Sequence, residues 1–151
     1  MRRWELAARE QIRVLVAQYN GFGDRGQVAE LAELFSPDGV LETDQGGTSA
    51  GPAAIEAYLS NIVSDNTAAA TYWRHFVATH NVVVTSRSEA TGTAYFLVLD
   101  HQGLNHWGRY RDRYRRDDHG HWHFAHRFVR IDDHATPRPS AAPEPEAGPS
   151  A

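Results

Sequence analysis

The chain contains no cysteine, which excludes disulfide frameworks and thiolate chemistry. It also lacks a basic surplus: 15 basic residues face 19 acidic ones, for a formal net charge of −4. An electrostatic nucleic-acid surface is therefore not expected. No apolar run approaches the roughly 20 residues needed to span a bilayer. The opening residues, Met1-Arg2-Arg3-Trp4-Glu5-Leu6, run straight into an amphipathic pattern, with no apolar signal segment or small-residue cleavage site. These absences point to a cytoplasmic protein without membrane or nucleic-acid partners.

What is present suits one globular domain: 151 residues, 41% of them hydrophobic and 11% aromatic. The domain is expected over residues 1–134. Ala135 to Ala151 is almost wholly Ala, Pro, Ser, Glu and Gly. Such a segment cannot bury enough apolar surface to offset its ordering entropy, and a disordered tail is expected.

Ala8, Ile12, Leu15, Tyr19 and Phe22 recur at helical spacing, and Gly21 and Gly23 are expected to end that helix. A second, shorter helix carries Val28, Leu31, Leu34 and Phe35, stopped by the turn-forming Ser36-Pro37-Asp38-Gly39. Val40–Thr43 reads as a short strand and Gln45-Gly46-Gly47 as a turn. Pro52 opens a third helix with Ile55, Tyr58, Leu59 and Ile62 on one face, fraying at Ser64-Asp65-Asn66. Four strand-like runs follow, over residues 73–85, 90–99, 106–116 and 121–131. In the third, Arg109, Arg111, Arg113 and Arg115 alternate with Gly108, Tyr110, Asp112 and Tyr114. Helices first and an antiparallel meander afterwards predict an α+β fold: three helices packed on a strongly curved, mainly antiparallel sheet, forming a cone with a pocket.

Two segments carry acid–base chemistry. Tyr19-Asn20-Gly21-Phe22-Gly23-Asp24 leaves a phenol and a carboxylate at a helix end, and Arg74-His75 lies on the first long strand. An imidazole titrates near neutrality and serves as both base and acid. A carboxylate on its second nitrogen fixes the tautomer and stabilises the imidazolium, and a phenol stabilises charge on an oxygen. Such a site requires no cofactor or metal. The plainer readings are that Tyr19 is core, Asp24 a turn residue, and His75 a satisfied core histidine. Asp112, between two tyrosines, needs a partner, for which Arg127 is the candidate; a structural ion pair is the simpler reading, and a pocket-facing Arg127 the sharper one. His119, His121, His123 and His126 read as a hairpin turn and partly exposed strand rather than a metal site.

The ordered motifs Tyr19…Asp24, Leu34-Phe35-Ser36-Pro37-Asp38-Gly39-Val40, Gly51-Pro52-Ala53-Ala54-Ile55, Arg74-His75-Phe76, Gly108–Asp112 and Trp122–Arg127 resemble the SnoaL-like branch of the nuclear-transport-factor-2-like superfamily. The likeness covers about residues 5–133 and extends to the scytalone and bile-acid 7α-dehydratase groups. It implies a cofactor-independent dehydratase, or a related isomerase or cyclase, acting on a hydrophobic, oxygenated small molecule of polyketide or steroid type. It implies His75 as base, Asp24 as its partner and Tyr19 as hydrogen-bond donor. Candidate substrate-binding residues are Trp73, Tyr58, Phe96, Tyr110, Asp112 and Arg127. A second pocket histidine of scytalone dehydratase falls near Ala94 here. The superfamily also implies a homo-oligomer, dimer or trimer, associating through its sheet. It leaves two other readings: a non-catalytic binding or subunit module, like small subunits of ring-hydroxylating oxygenases, and an isomerase using Asp44 or Glu42 as base.

Overall fold

The apolar stripe of the first segment becomes α1 (Arg3–Asp24) in the computed structural model, burying Ala8, Ile12, Leu15, Val16 and Tyr19. The structure describes residues 1–68 and 72–136, so the tail expected from Ala135 lies, from residue 137 on, outside the described residues. Gly21 and Gly23 stay helical rather than ending α1. The chain leaves the helix through Gly26, whose φ of +70° suits a residue without a side chain. Asp24 is consequently held on the last helical turn.

A short α2 (Val28–Ala32) leads into β1 (Phe35–Thr43), which pairs with a four-residue edge strand, β2 (Gly47–Ala50). After α3 (Pro52–Ala68) come four long strands: β3 (Arg74–Val84), β4 (Glu89–Asp100), β5 (Gly103–Arg116) and β6 (Trp122–His134). The sheet order is β2-β1-β6-β5-β4-β3; only the β1–β6 pairing is parallel. The expected helix end and turn at Phe35–Gly39 are strand instead. Phe35 pairs with Phe124 and Val40 with His126, so Ser36–Gly39 bulges out of the ladder. A side chain at Gly39 would lie 2.8 Å from the Ser36 and Phe124 carbonyl oxygens, which explains a glycine where the strands close up.

Further register shifts in β3, β4, β5 and β6 bend the sheet, and Thr79, at the β3 shift, has a φ of 52°. The curved sheet and the helices bury two apolar clusters. The larger joins α1 to Leu41, Tyr114, Trp122 and Phe124; the smaller, formed by Ala94, Phe96, Val98 and Tyr110, lies further along the sheet.

Asp112 and Arg127 belong to this interior. The Arg127 guanidinium donates from Nε and Nη2 to the two Asp112 oxygens at 2.8 and 2.7 Å, and Tyr114 donates to Asp112 at 2.7 Å. The rings of Tyr19, Tyr110 and Phe124 stand 4.0–4.2 Å from the guanidinium carbon. Both residues were candidates for substrate binding; neither lines the cavity described below. An arginine enclosed by three aromatic rings and a bidentate carboxylate has its charge compensated inside the core.

Removing one partner strands the other charge. Asp112→Ala is expected to cost about 3–5 kcal/mol by urea denaturation, and the double replacement Asp112→Leu with Arg127→Met far less.

Candidate active site

A cavity of about 560 Å³ opens between α1, α3 and the concave face of the sheet. Its position follows from the alternation along the strands, which directs every second side chain inward. Apolar walls come from Leu31, Leu41, Leu59, Ile62 and Val129, and a smaller set of polar groups interrupts them.

The end of α1 meets the start of β3 here. Asp24 Oδ2 accepts the backbone N–H of His75 at 3.0 Å, and Asp24 Oδ1 lies 2.6 Å from His75 Nδ1. A carboxylate without a proton only accepts, so Nδ1 is the donor, and in the neutral ring the lone pair falls to Nε2. Both side chains are largely enclosed, at 18% and 14% exposure. Tyr19 lies one and a half turns back along α1 and lines the same cavity. Burial pushes its phenol above the ordinary range, so it remains a protonated donor. The three sequence candidates for chemistry thus border one space.

Of the candidate substrate-binding residues, Trp73, Tyr58, Phe96 and Tyr110 line the cavity. Phe96 stacks on Tyr110 at 4.6 Å, and the Tyr110 hydroxyl donates to Asn20 Oδ1 at 3.0 Å. The Tyr58 hydroxyl lies 3.4 Å from Thr43 Oγ1. Asp44 sits at the rim, where both carboxylate oxygens accept the Ile131 N–H at 3.2–3.3 Å. Glu42 points elsewhere and bonds His126 at 2.9 Å. His121 and His123 converge on Asp117, away from the cavity.

Sequence reasoning missed Asn20, Asn105, His106 and His134, all of which line the cavity. His106 is the most consequential. The ladder pairs His75 with Val98, Val98 with His106, and His106 with His134, so the three imidazoles lie along one row of the sheet. The signal was available: the alternation of Gly108, Tyr110, Asp112 and Tyr114 extends backwards by one step to His106. Its Nδ1 lies 2.7 Å from Asn105 Oδ1. Burial, reinforced by His75 and His134, pushes the ring down to about 4.

Residues 4–128 match the SnoaL-like domain, and the chain belongs to that family. No curated protein matches it. Solved structures share the fold. An NTF2-like protein with a cystatin-like fold from Novosphingobium aromaticivorans is 27% identical, with a TM-score of 0.73 over 85% of this chain and 84% of that one. A protein from Catenulispora acidiphila, in complex with S-DNPA, is 24% identical, with a TM-score of 0.73 over 84% and 95%. A putative scytalone dehydratase from Novosphingobium aromaticivorans is 21% identical, with a TM-score of 0.77 over 94% and 95%.

The depressed His106 has a consequence for stability. An unfolded imidazole takes up its proton near 6.5, the folded one only near 4. Between these values the unfolded chain holds more protons, so stability falls as pH drops through that window. Urea midpoints at pH 7 and pH 4.5 are expected to differ less for His106→Gln than for the wild type. A residual slope remains from His80, which burial also pushes down.

Proposed function

We propose that this protein is a cofactor-independent acid–base enzyme that eliminates water from a hydrophobic β-hydroxy carbonyl compound of polyketide or steroid type. The observation that carries this reading is the 2.6 Å His75–Asp24 contact bordering an apolar cavity that Tyr19 also lines. His75 Nε2 removes the α-proton while the Tyr19 hydroxyl donates to the carbonyl oxygen as negative charge develops there. Asp24 holds the ring and stabilises the imidazolium. The same proton is then delivered to the β-hydroxyl, the C–O bond breaks, and water and the enone leave. The balance requires no outside oxidant or reductant. The sequence has no lysine and no cysteine, which removes imine formation and thiolate attack as covalent alternatives. Isomerisation or cyclisation would draw on the same three groups.

The domain proposed to do this ends at residue 134, and the proposed setting is the cytoplasm. No helix of the described residues is long and apolar enough to cross a membrane. Self-association through the outer face of the sheet is part of the same reading. Phe76 and Leu97 pair across β3 and β4, Leu97 pairs with Trp107, and Phe76 and Tyr95 are 54% and 59% exposed. Leu97→Asp is expected to shift a dimer or trimer to monomer in sedimentation equilibrium; a wild-type monomer refutes the association.

Turnover is read from enone absorbance with a panel of neutral, ring-bearing β-hydroxy ketones. His75→Ala is expected to lower kcat by about 10²–10⁴, with a substantial loss for Asp24→Asn through the wrong tautomer. Tyr19→Phe should lose about 10–10³, mainly in kcat. Unchanged turnover in His75→Ala sinks the acid–base reading of His75, and a wild type that turns over no compound of the panel leaves the cone as a binding or subunit module.

A further inference from the structure

We propose that His106 is a substrate-recognition residue: an imidazole whose Nε2 accepts a hydrogen bond from a substrate hydroxyl, selecting uncharged, hydroxylated ring compounds over anions. This inference rests on the cavity being a small-molecule site, and it deepens that reading by naming the substrate class.

Asp100 Oδ2 lies 2.6 Å from Asn105 Nδ2. A carboxylate can only accept, so the amide nitrogen must face it and Asn105 Oδ1 must face His106. That oxygen, 2.7 Å from His106 Nδ1, is itself an acceptor, so Nδ1 carries the hydrogen. In a neutral ring Nε2 is then the lone-pair nitrogen. It has no hydrogen-bond partner and is not sealed among the buried, unpartnered atoms of the described residues. The ring it belongs to lines the cavity.

His106 and His75 are therefore the same side chain held to different ends. The ring of His75 leans on a carboxylate, which stabilises the charge acquired with a proton. The ring of His106 leans on a neutral amide, and its neighbours His75 and His134 oppose a positive charge, against only the Asp100 carboxylate beyond Asn105. One imidazole is built to take a proton, the other to accept a hydrogen bond without taking it. They project from positions two strands apart, about 10 Å between backbones. Trp73 and Phe96 each lie 5.1–6.3 Å from both rings and line the space between them. A substrate spanning the two would place its acidic C–H at His75 and a ring hydroxyl at His106.

The same lone pair repels a carboxylate or phosphate. The one guanidinium on the lining among the described residues, Arg25, is exposed, donates to Gln27 at 2.6 Å and lies over the Phe22 ring. Arg127 is spent on Asp112. The cavity thus offers an anion no enclosed cation, while its walls suit a neutral ring system.

Two experiments on the intact protein test this without using turnover, so their failure is distinct from a failure of the His75 reading. Long-range ¹⁵N NMR of the wild type should show His106 neutral, with hydrogen on Nδ1, at pH 6. A cationic ring or an Nε2–H tautomer overturns the proposal. NMR titration with 2-naphthol and with 2-methoxynaphthalene should show the alcohol binding about three- to tenfold more tightly. That preference should vanish in His106→Phe and partly return in His106→Gln, whose side-chain carbonyl also accepts. Equal wild-type affinities, or a preference that persists in His106→Phe, overturn it, the latter placing the hydroxyl at another acceptor of the lining.

Discussion

The buried Arg127–Asp112 pair governs how helix and sheet meet. A charge in a core is tolerated when its neighbours compensate it, and here compensation draws on three elements at once, with only Arg127 Nη1 left without a hydrogen-bond partner. Asp112 comes from β5, Arg127 and Phe124 from β6, and Tyr19 from α1, whose ring stands 4.2 Å from the guanidinium carbon. Tyr19 thereby sets the axial position of α1 against the concave face. Because Asp24 lies one and a half turns further on, fixing Tyr19 also fixes how far the carboxylate reaches toward β3. The ion pair lines no cavity, yet the contact between Asp24 and His75 depends on the helix placement it enforces.

In the cavity, partners rather than side-chain identity distinguish the ionisable groups. His75 and His106 occupy one row of the sheet and line one cavity. What separates them is the residue bonded to Nδ1, a carboxylate in one case and an amide in the other. The backbone carries this difference. Asp24 is brought in by a helix that continues through two glycines, whereas Asn105 is the immediate neighbour of His106 and is anchored by Asp100. A fold that hosts many reactions can change chemistry by altering such partners while the inward-facing row stays the same.

Much of this was legible in the sequence because two periods dominate it. The helical stripe from Ala8 to Tyr19 and the alternation from Gly108 to Tyr114 specify which faces turn inward, and the pairing of Asp24 with His75 followed once family likeness linked the two segments. What was not legible has local physical causes. Ser36-Pro37-Asp38-Gly39 has the composition of a turn but forms a bulge, because β6 supplies a ladder that no local rule can see. The four residues of β2 have no apolar alternation; they are a strand only through pairing with β1. Arg127 could be matched to Asp112 from spacing, but the aromatic enclosure that withdraws it from the cavity includes Tyr19, from the far end of the chain. His106 was overlooked because the alternation was read from Gly108 onward.

The parallel pairing of β1 with β6 has a consequence for biosynthesis. Leu41 lies beside Arg127 in the ladder, so β1 leaves the ribosome well before β6 and waits for it before its edge is covered. Until then α1 has no complete sheet to bury its stripe against, and β1 is an unpaired strand on one side. Such long-range closure slows folding and leaves apolar surface open to association in the meantime. Nascent chains stalled before β6 emerges would hold both halves of the acid–base pair, Asp24 and His75, on a scaffold still without its central ion pair. The cavity is a late product of translation, completed when the final strand slides between its two neighbours.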